Sequence, residues 1–219
     1  NYLRVSVTDR CDLRCVYCMK EKMQFLPKKE ILTLEEIERL CNNFIELGVE
    51  KIRITGGEPL VRNDIIKLIE KLNLKKNDTS LKEITLTTNG TLLKKYAKQL
   101  KLNGIDRINL SLDTINSDRY KKITRFGNIK KVFEGIDEAL QNNIKIKINT
   151  VVIKDFNEDE IEKLINWTNN KKLDLTFIEV MPMEETDISR DYQFVSLTET
   201  FDKLNKKYKF IKSDYKTGG

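Results

Sequence analysis

Histidine is missing from all 219 residues. With it goes the side chain most often used as a proton acceptor near neutral pH and as a partner of cysteine in zinc sites. Cysteine is scarce, with four residues in all, three of them between positions 11 and 18 and the fourth at Cys41. That placement excludes the disulfide framework of a small secreted domain and points to a reducing compartment, the cytoplasm. Three prolines and nine glycines are too few for a disordered or collagen-like chain. No apolar run approaches the ~20 residues that a membrane-spanning helix requires, so no membrane partner is expected. The chain begins at Asn1 rather than Met, which leaves a removed leader open.

What is present is a lysine-rich chain of net charge +6 with 39% hydrophobic residues, enough for one substantial domain. The lysines come as scattered doublets such as Lys28-Lys29, Lys94-Lys95 and Lys206-Lys207, with acidic residues between them. No continuous basic run or aromatic stacking stretch occurs, so a solvated surface is expected rather than a nucleic-acid partner.

Six strand-like runs, near 3–8, 51–55, 82–88, 107–112, 144–153 and 174–181, alternate with amphipathic helical stretches. That alternation is the pattern of a parallel βα architecture. Thr33-Leu-Glu-Glu36 reads as a capping box opening a helix with Leu34, Ile37, Cys41, Phe44 and Ile45 on one stripe. Cys41 therefore reads as a small core residue. Trp167 lies beside a stripe of Ile161, Leu164 and Ile165, on a helix that Asn157 is expected to cap, and reads as packing. Two further helical faces comprise Ile129, Val132, Phe133, Ile136 and Leu140, and Leu197, Phe201, Leu204 and Tyr208.

Within the strands, apolar and polar residues alternate: Ile108-Asn-Leu-Ser-Leu-Asp113 puts Asn109, Ser111 and Asp113 on one face, and Ile144-Lys-Ile-Lys-Ile-Asn149 repeats the pattern. Because amphipathic helices must cover the apolar face, the polar face points inward. A closed eight-stranded barrel fills its interior with apolar side chains. Six strands with a polar interior instead imply an open partial (β/α)6 barrel around a wet cavity. Arg4, Arg53 and Lys147 share that inner face. Either Asp113 and Glu179 balance them in a salt-bridge network, or a polyphosphate does. The pattern alone does not choose between the two.

The densest chemistry is Cys11-Asp-Leu-Arg-Cys15-Val-Tyr-Cys18. Three thiolates can hold an iron–sulfur cluster and leave one iron open, since four-iron clusters normally take four. Structural zinc, the main rival, wants a closed shell of four Cys or His donors. A disulfide would leave one thiol of the trio over.

Together with Ile54-Thr-Gly-Gly-Glu-Pro59, this motif resembles the radical S-adenosylmethionine (SAM) superfamily. Lys51-Ile-Arg-Ile-Thr55, Leu86-Thr-Thr-Asn-Gly90, Asn109-Leu-Ser-Leu-Asp113, Lys145-Ile-Lys-Ile-Asn-Thr-Val151 and Phe177-Ile-Glu-Val-Met181 narrow the resemblance to the GTP 3′,8-cyclase family, from Tyr2 to about Met183. The resemblance implies a lyase that cyclises GTP in the first step of molybdenum cofactor biosynthesis. A 5′-deoxyadenosyl radical from SAM would remove the 3′ hydrogen of GTP, and the resulting carbon radical would close on C8 of guanine. It further implies that Cys11, Cys15 and Cys18 ligate a [4Fe–4S] cluster and that Tyr17, Gly57, Ser111 and Met181 contact SAM. Arg4, Arg53, Thr87 and Lys147 would contact GTP. Met181 and Glu179 are assigned a site-facing phase on the last strand. A homodimer and hand-off to cyclic pyranopterin monophosphate synthase complete the implied partners.

Two departures stand out. Family members usually show Gly-Arg after the Ile-Thr of the fourth βα unit, whereas Ile123-Thr124 here runs into Arg125-Phe126-Gly127. Members also carry a second three-cysteine cluster and GTP-binding arginines in their last third, while this sequence has no cysteine after Cys41. The expectation is therefore a fragment, with a radical SAM barrel at 1–183 and the truncated start of a C-terminal region at 184–219. By itself it is expected to cleave SAM slowly without efficient cyclisation. Two alternatives stay open: another radical SAM enzyme acting on a peptide or haem, and a non-catalytic metal-binding domain.

Overall fold

A computed structural model describes residues 1–181 and 193–215. Six parallel strands form one sheet: β1 (Tyr2–Ser6), β2 (Lys51–Thr55), β3 (Glu83–Thr88), β4 (Arg107–Ser111), β5 (Lys145–Val152) and β6 (Asp174–Glu179). Helices α1 (Leu34–Glu46), α2 (Ile65–Leu74), α3 (Leu93–Leu102), α4 (Ser117–Thr124), α5 (Ile129–Gln141) and α6 (Ile161–Lys171) connect them, and α7 (Leu197–Asn205) follows β6. The strand order is sequential from β1 to β6, without the reversal that marks a doubly wound sheet. Right-handed crossovers that add each strand on the same side wind the sheet toward a barrel. Among the described residues β6 does not pair with β1, so the barrel is open. All six expected strands are present; β1 and β6 each end two residues earlier than their alternation suggested. The expected domain boundary at 183/184 lies outside the described residues.

The apolar strand phase makes the core. Ile52, Ile54, Ile84, Leu86, Ile108, Leu110, Ile146 and Ile148 are all buried, packed with Ile37, Cys41 and Ile45 of α1, Leu68, Ile69 and Leu72 of α2, and Val132 and Ile136 of α5. Each such side chain removed from water contributes roughly 1.5–3 kcal/mol. The α1 capping box forms as read: Glu36 N–H donates to Thr33 Oγ1 (3.2 Å) and Thr33 N–H to Glu36 Oε2 (2.8 Å). Phe44, expected on the α1 stripe, is instead 41% exposed. Trp167 packs as expected, its ring 5.7 Å from that of Phe133. On α7 the face of Leu197, Phe201 and Leu204 meets Leu175 and Phe177 across a groove of about 470 Å³. Tyr208 lies beyond the helix and donates to Glu162 Oε2.

Asn157 does not cap the helix that follows. Its side chain turns inward, accepting from Ile153 N–H and donating to the carbonyls of Asp113 and Val151. A buried amide that bridges two strand-end loops satisfies three backbone groups, more than a cap would.

No helix among the described residues is long and apolar enough to cross a membrane.

Candidate active site

The register stacks the polar phase in rows across the barrel interior. Arg4 pairs with Arg53, Arg53 with Thr85, and Thr85 with Arg107. Nearer the C-terminal ends, Thr87 pairs with Asn109, Asn109 with Lys147, and Lys147 with Asp174. Above them Ser111 pairs with Asn149 and Asn149 with Thr176. Parallel partners face the same side, so Arg4, Arg53, Thr87, Ser111 and Lys147 all share the inward face of the sheet, as the alternation required.

Three cations of this face, Lys51, Arg107 and Lys145, went unread in the sequence, although the same parity marks all three. Lys51 reaches Glu83 Oε2 at 2.8 Å, and the nearly buried Arg107 reaches Glu83 Oε1 at 3.3 Å. Arg53 lies over the Tyr2 ring at 5.2 Å. Burial, with the nearby Arg107 and Arg53, pushes the Lys147 ammonium below its ordinary pKa, while Asp174 opposes that shift. Burial likewise lowers Arg53, and Arg4 and Arg107 add to the effect. Thr85 Oγ1 and both amide atoms of Asn109 are buried on this face without a hydrogen-bond partner among the described residues.

The last strand corrects the expected phase. Val152 pairs with Glu179 and Thr150 with Phe177, which puts Glu179 on the helix side, where it accepts from Leu197 N–H at 2.9 Å. Asp174, not Glu179, is the inward carboxylate of β6. Met181 lies two residues beyond β6, exposed, in the phase of Phe177 and Glu179 rather than that of Thr176 and Ile178.

The motif loops gather at the C-terminal ends of the strands, where parallel sheets place ligands. After β1, the cysteine loop turns on itself: Cys18 and Met19 N–H both donate to Cys15 C=O, at 2.8 and 3.0 Å. Cys11 and Cys15 are partly buried and Cys18 is exposed; Cys15 feels the charge of both other thiols and Cys11 that of Cys18. Burial pushes Cys11 up to about 11 and Cys15 well above the ordinary thiol value, so both hold protons until a cation displaces them. Cys41, buried on α1, stands apart from this loop. Among the described residues no three His, Cys, Asp or Glu side chains converge on a point that one ion could occupy. A four-iron cluster binds its thiolates at separate corners and needs no such convergence. Three thiols with no fourth Cys or His donor fit the open cluster and not a closed zinc shell.

Neighbouring loops hold the cysteine loop. Arg14 and Val16 N–H donate to Thr124 and Ile123 C=O, and Arg125 Nη1 donates to the carbonyls of Arg14 and Met19. The Arg125-Phe126-Gly127 departure thus supplies a grip on this loop, which sequence reasoning did not reveal. Tyr17 Oη donates to Asp113 Oδ2 at 2.5 Å. Burial pushes Asp113 up to about 6, against hydrogen bonds from Tyr17 and Val151 N–H.

After β2, Gly57 N–H donates to Thr8 C=O and Glu58 N–H to Arg10 C=O, both at 2.8 Å. A Cβ at Gly57 would stand 2.3 Å from Arg10 O, and one at Gly56, whose φ is +150°, 2.5 Å from Thr8 O. Both glycines therefore answer to the β1 loop packed against them. Glu58 is fully buried and takes hydrogen bonds from Leu60 N–H, Thr88 Oγ1 and Asn89 N–H. Burial outweighs these donors and pushes its carboxyl up to about 7. Glu58 was visible in the motif, but its role was not.

Residues 5–168 match the profile of the radical SAM superfamily. The chain belongs to that superfamily, whose members use a [4Fe–4S] cluster and SAM. Within it, the chain is 52% identical over 218 residues to the GTP 3′,8-cyclase of Sinorhizobium medicae, covering 100% of this chain and 62% of that protein. It is 50% identical to the GTP 3′,8-cyclase of Brucella ovis, over 100% of this chain and 63% of that protein. The chain thus spans less than two thirds of the length of these relatives. Among solved structures, Streptococcus suis SuiB bound to S-adenosylmethionine superposes with a TM-score of 0.77 at 21% identity, over 94% of this chain and 46% of that one. Native anSMEcpe with bound AdoMet gives 0.67 at 22% identity, over 88% and 55%. These likenesses concern the fold.

Proposed function

We propose that this chain belongs to a lyase that cyclises GTP to (8S)-3′,8-cyclo-7,8-dihydroguanosine 5′-triphosphate, the first step of molybdenum cofactor biosynthesis. The observation that carries the substrate is the charge of the barrel interior. Among the described residues, the strands bring Arg4, Lys51, Arg53, Arg107, Lys145 and Lys147 to that face against the carboxylates Glu83 and Asp174. A triphosphate offsets the burial and the neighbouring positive charge that together depress Lys147 and Arg53. Buried Thr85 and Asn109 atoms without partners among the described residues also favour polar contents over an apolar ligand.

In this reading Cys11, Cys15 and Cys18 hold the cluster, and Tyr17, Gly57, Ser111 and the backbone at Met181 receive SAM beside it. Arg4, Arg53, Thr87 and Lys147 hold the nucleotide deeper in the barrel. When bound, the cluster supplies one electron that splits SAM into methionine and a 5′-deoxyadenosyl radical. The chain's own task is placement. Hydrogen abstraction needs the reacting atoms held within roughly 3–3.5 Å, and phosphate anchors at the strand midpoints fix the ribose below the strand ends. With no histidine in the chain, nothing here is arranged for imidazole proton transfer. The same reading places the protein in the cytoplasm, as a homodimer that passes its product to cyclic pyranopterin monophosphate synthase.

The test is anaerobic reconstitution with iron and sulfide, followed by titration with GTP and chromatography of SAM products under a strong reductant. A brown protein that forms 5′-deoxyadenosine and binds GTP, with affinity reduced tenfold or more in Lys147→Ala, is expected. A colourless zinc protein would overturn the cluster, and GTP binding unchanged in Lys147→Ala would overturn the substrate site.

A further inference from the structure

The loop after β3 touches the cysteine loop through two side chains, Asn89 and Thr91. Asn89 Nδ2 lies 2.8 Å from Asp12 Oδ1 and 3.8 Å from Cys11 Sγ, within reach of a sulfur acceptor. The amide's orientation is fixed from its other end, because Oδ1 accepts from Thr91 N–H at 3.0 Å. Nδ2 must therefore be the end that meets Asp12 and Cys11. Thr91 Oγ1 also donates to Asp12 Oδ2 at 2.5 Å, and Asn89 N–H is anchored on buried Glu58 at 2.7 Å. Asp12 Oδ1 itself stands 3.9 Å from Cys11 Sγ. One amide thus meets both the Asp12 carboxylate and the Cys11 thiol beside it.

We propose that Asn89 is a positioning residue for the cluster: it fixes Cys11, donates a hydrogen bond to its thiolate, and holds the Asp12 carboxylate in a neutralising cradle. This rests on the reading of Cys11 as a cluster ligand. Reduction adds a negative charge to the cluster and its thiolates. A donor to a ligating sulfur stabilises the reduced form, and a bare carboxylate nearby opposes it. Asn89 therefore raises the potential of the one-electron couple, and Asp12 lowers it.

The experiment is an EPR-monitored redox titration of the anaerobically reconstituted chain, with iron and sulfide counts on every sample. Asn89→Leu keeps the branched shape of the side chain, with slightly more bulk, and removes both donors. It is expected to lower the reduced-to-oxidised ratio at fixed potential about three- to tenfold, where tenfold corresponds to ~59 mV for one electron. Asp12→Asn is expected to move the midpoint the other way, and the double variant to return toward the parent. A fully loaded Asn89→Leu protein with the parent's midpoint overturns the proposal. Should Asn89→Leu fail to fold or to load iron, Asp12→Asn decides: a higher midpoint supports the proposal and an unchanged one overturns it. A parent chain that takes up no cluster would instead refute the cluster assignment, a distinct failure seen before any variant is made.

Discussion

Tyr17 and Asp113, 96 residues apart in sequence, are joined by a 2.5 Å hydrogen bond between the cysteine loop and the end of β4. Tyr17 lies between Cys15 and Cys18, and Asp113 also accepts from Val151 N–H at 2.8 Å. The pair therefore ties the cysteine loop to two strand ends at once. Tyr17→Phe removes one donor and leaves a buried carboxyl under-satisfied, at a cost of about 1–2 kcal/mol. Urea denaturation of the apoprotein measures it. A phenylalanine variant as stable as the parent would show that this bond does not anchor the loop.

The cysteines divide by location. Cys11→Ala, Cys15→Ala and Cys18→Ala are each expected to lose the cluster. Cys41→Ala keeps it and costs on the order of 1 kcal/mol, because only a small side chain leaves the α1 core. Iron and sulfide analysis of the four variants checks this, and normal loading in Cys15→Ala would remove that residue from the ligand set.

Gly57→Ala tests whether loop packing sets the shape of the segment after β2. The new Cβ meets a backbone carbonyl, Arg10 O, which cannot swing aside like a side chain. The expected result is a loss of about 1–3 kcal/mol from overpacking and weaker SAM binding. Thermal melting and equilibrium dialysis with labelled SAM report the two effects. Melting unchanged from the parent would mean the Thr8–Arg10 segment yields freely.

The pH dependence of apoprotein stability follows from two buried carboxyls, since no histidine titrates between pH 5 and 8. Burial raises Glu58 to about 7 and Asp113 to about 6, both above the values the unfolded chain would show. The folded state therefore holds these protons more tightly than the unfolded one. The stability they contribute is full below about pH 4, the unfolded carboxylate range, and is lost as pH rises through 6 and 7. For Glu58 the loss is on the order of 3 kcal/mol. Urea midpoints at intervals from pH 5 to 8 should fall with pH, and Glu58→Gln should flatten the decline. A parent that grows more stable over this interval contradicts the assignment.

Period-two alternation revealed five of the six strand faces, because a side chain's side of a strand depends only on its parity. It placed Arg4, Arg53, Thr87, Ser111 and Lys147 together before any fold was in hand, and it held the signal for Lys51, Arg107 and Lys145 as well. The α1 capping box and the buried Cys41 were equally local. On β6 the alternation blurs, since Phe177, Ile178, Val180 and Met181 are all apolar. Only pairing with β5 decided that Asp174 points in and Glu179 out. The contacts that shape the cysteine loop were beyond sequence patterning altogether. Asn89 reaches back 78 residues to Cys11 and Arg125 reaches 111 to Arg14. Glu58 is buried because three loops close over it. Local chemistry determined the strands, the helix start and the thiol trio. The meeting of loops distant in sequence depends on how the strand ends are gathered around the barrel mouth, and only the tertiary structure decided that.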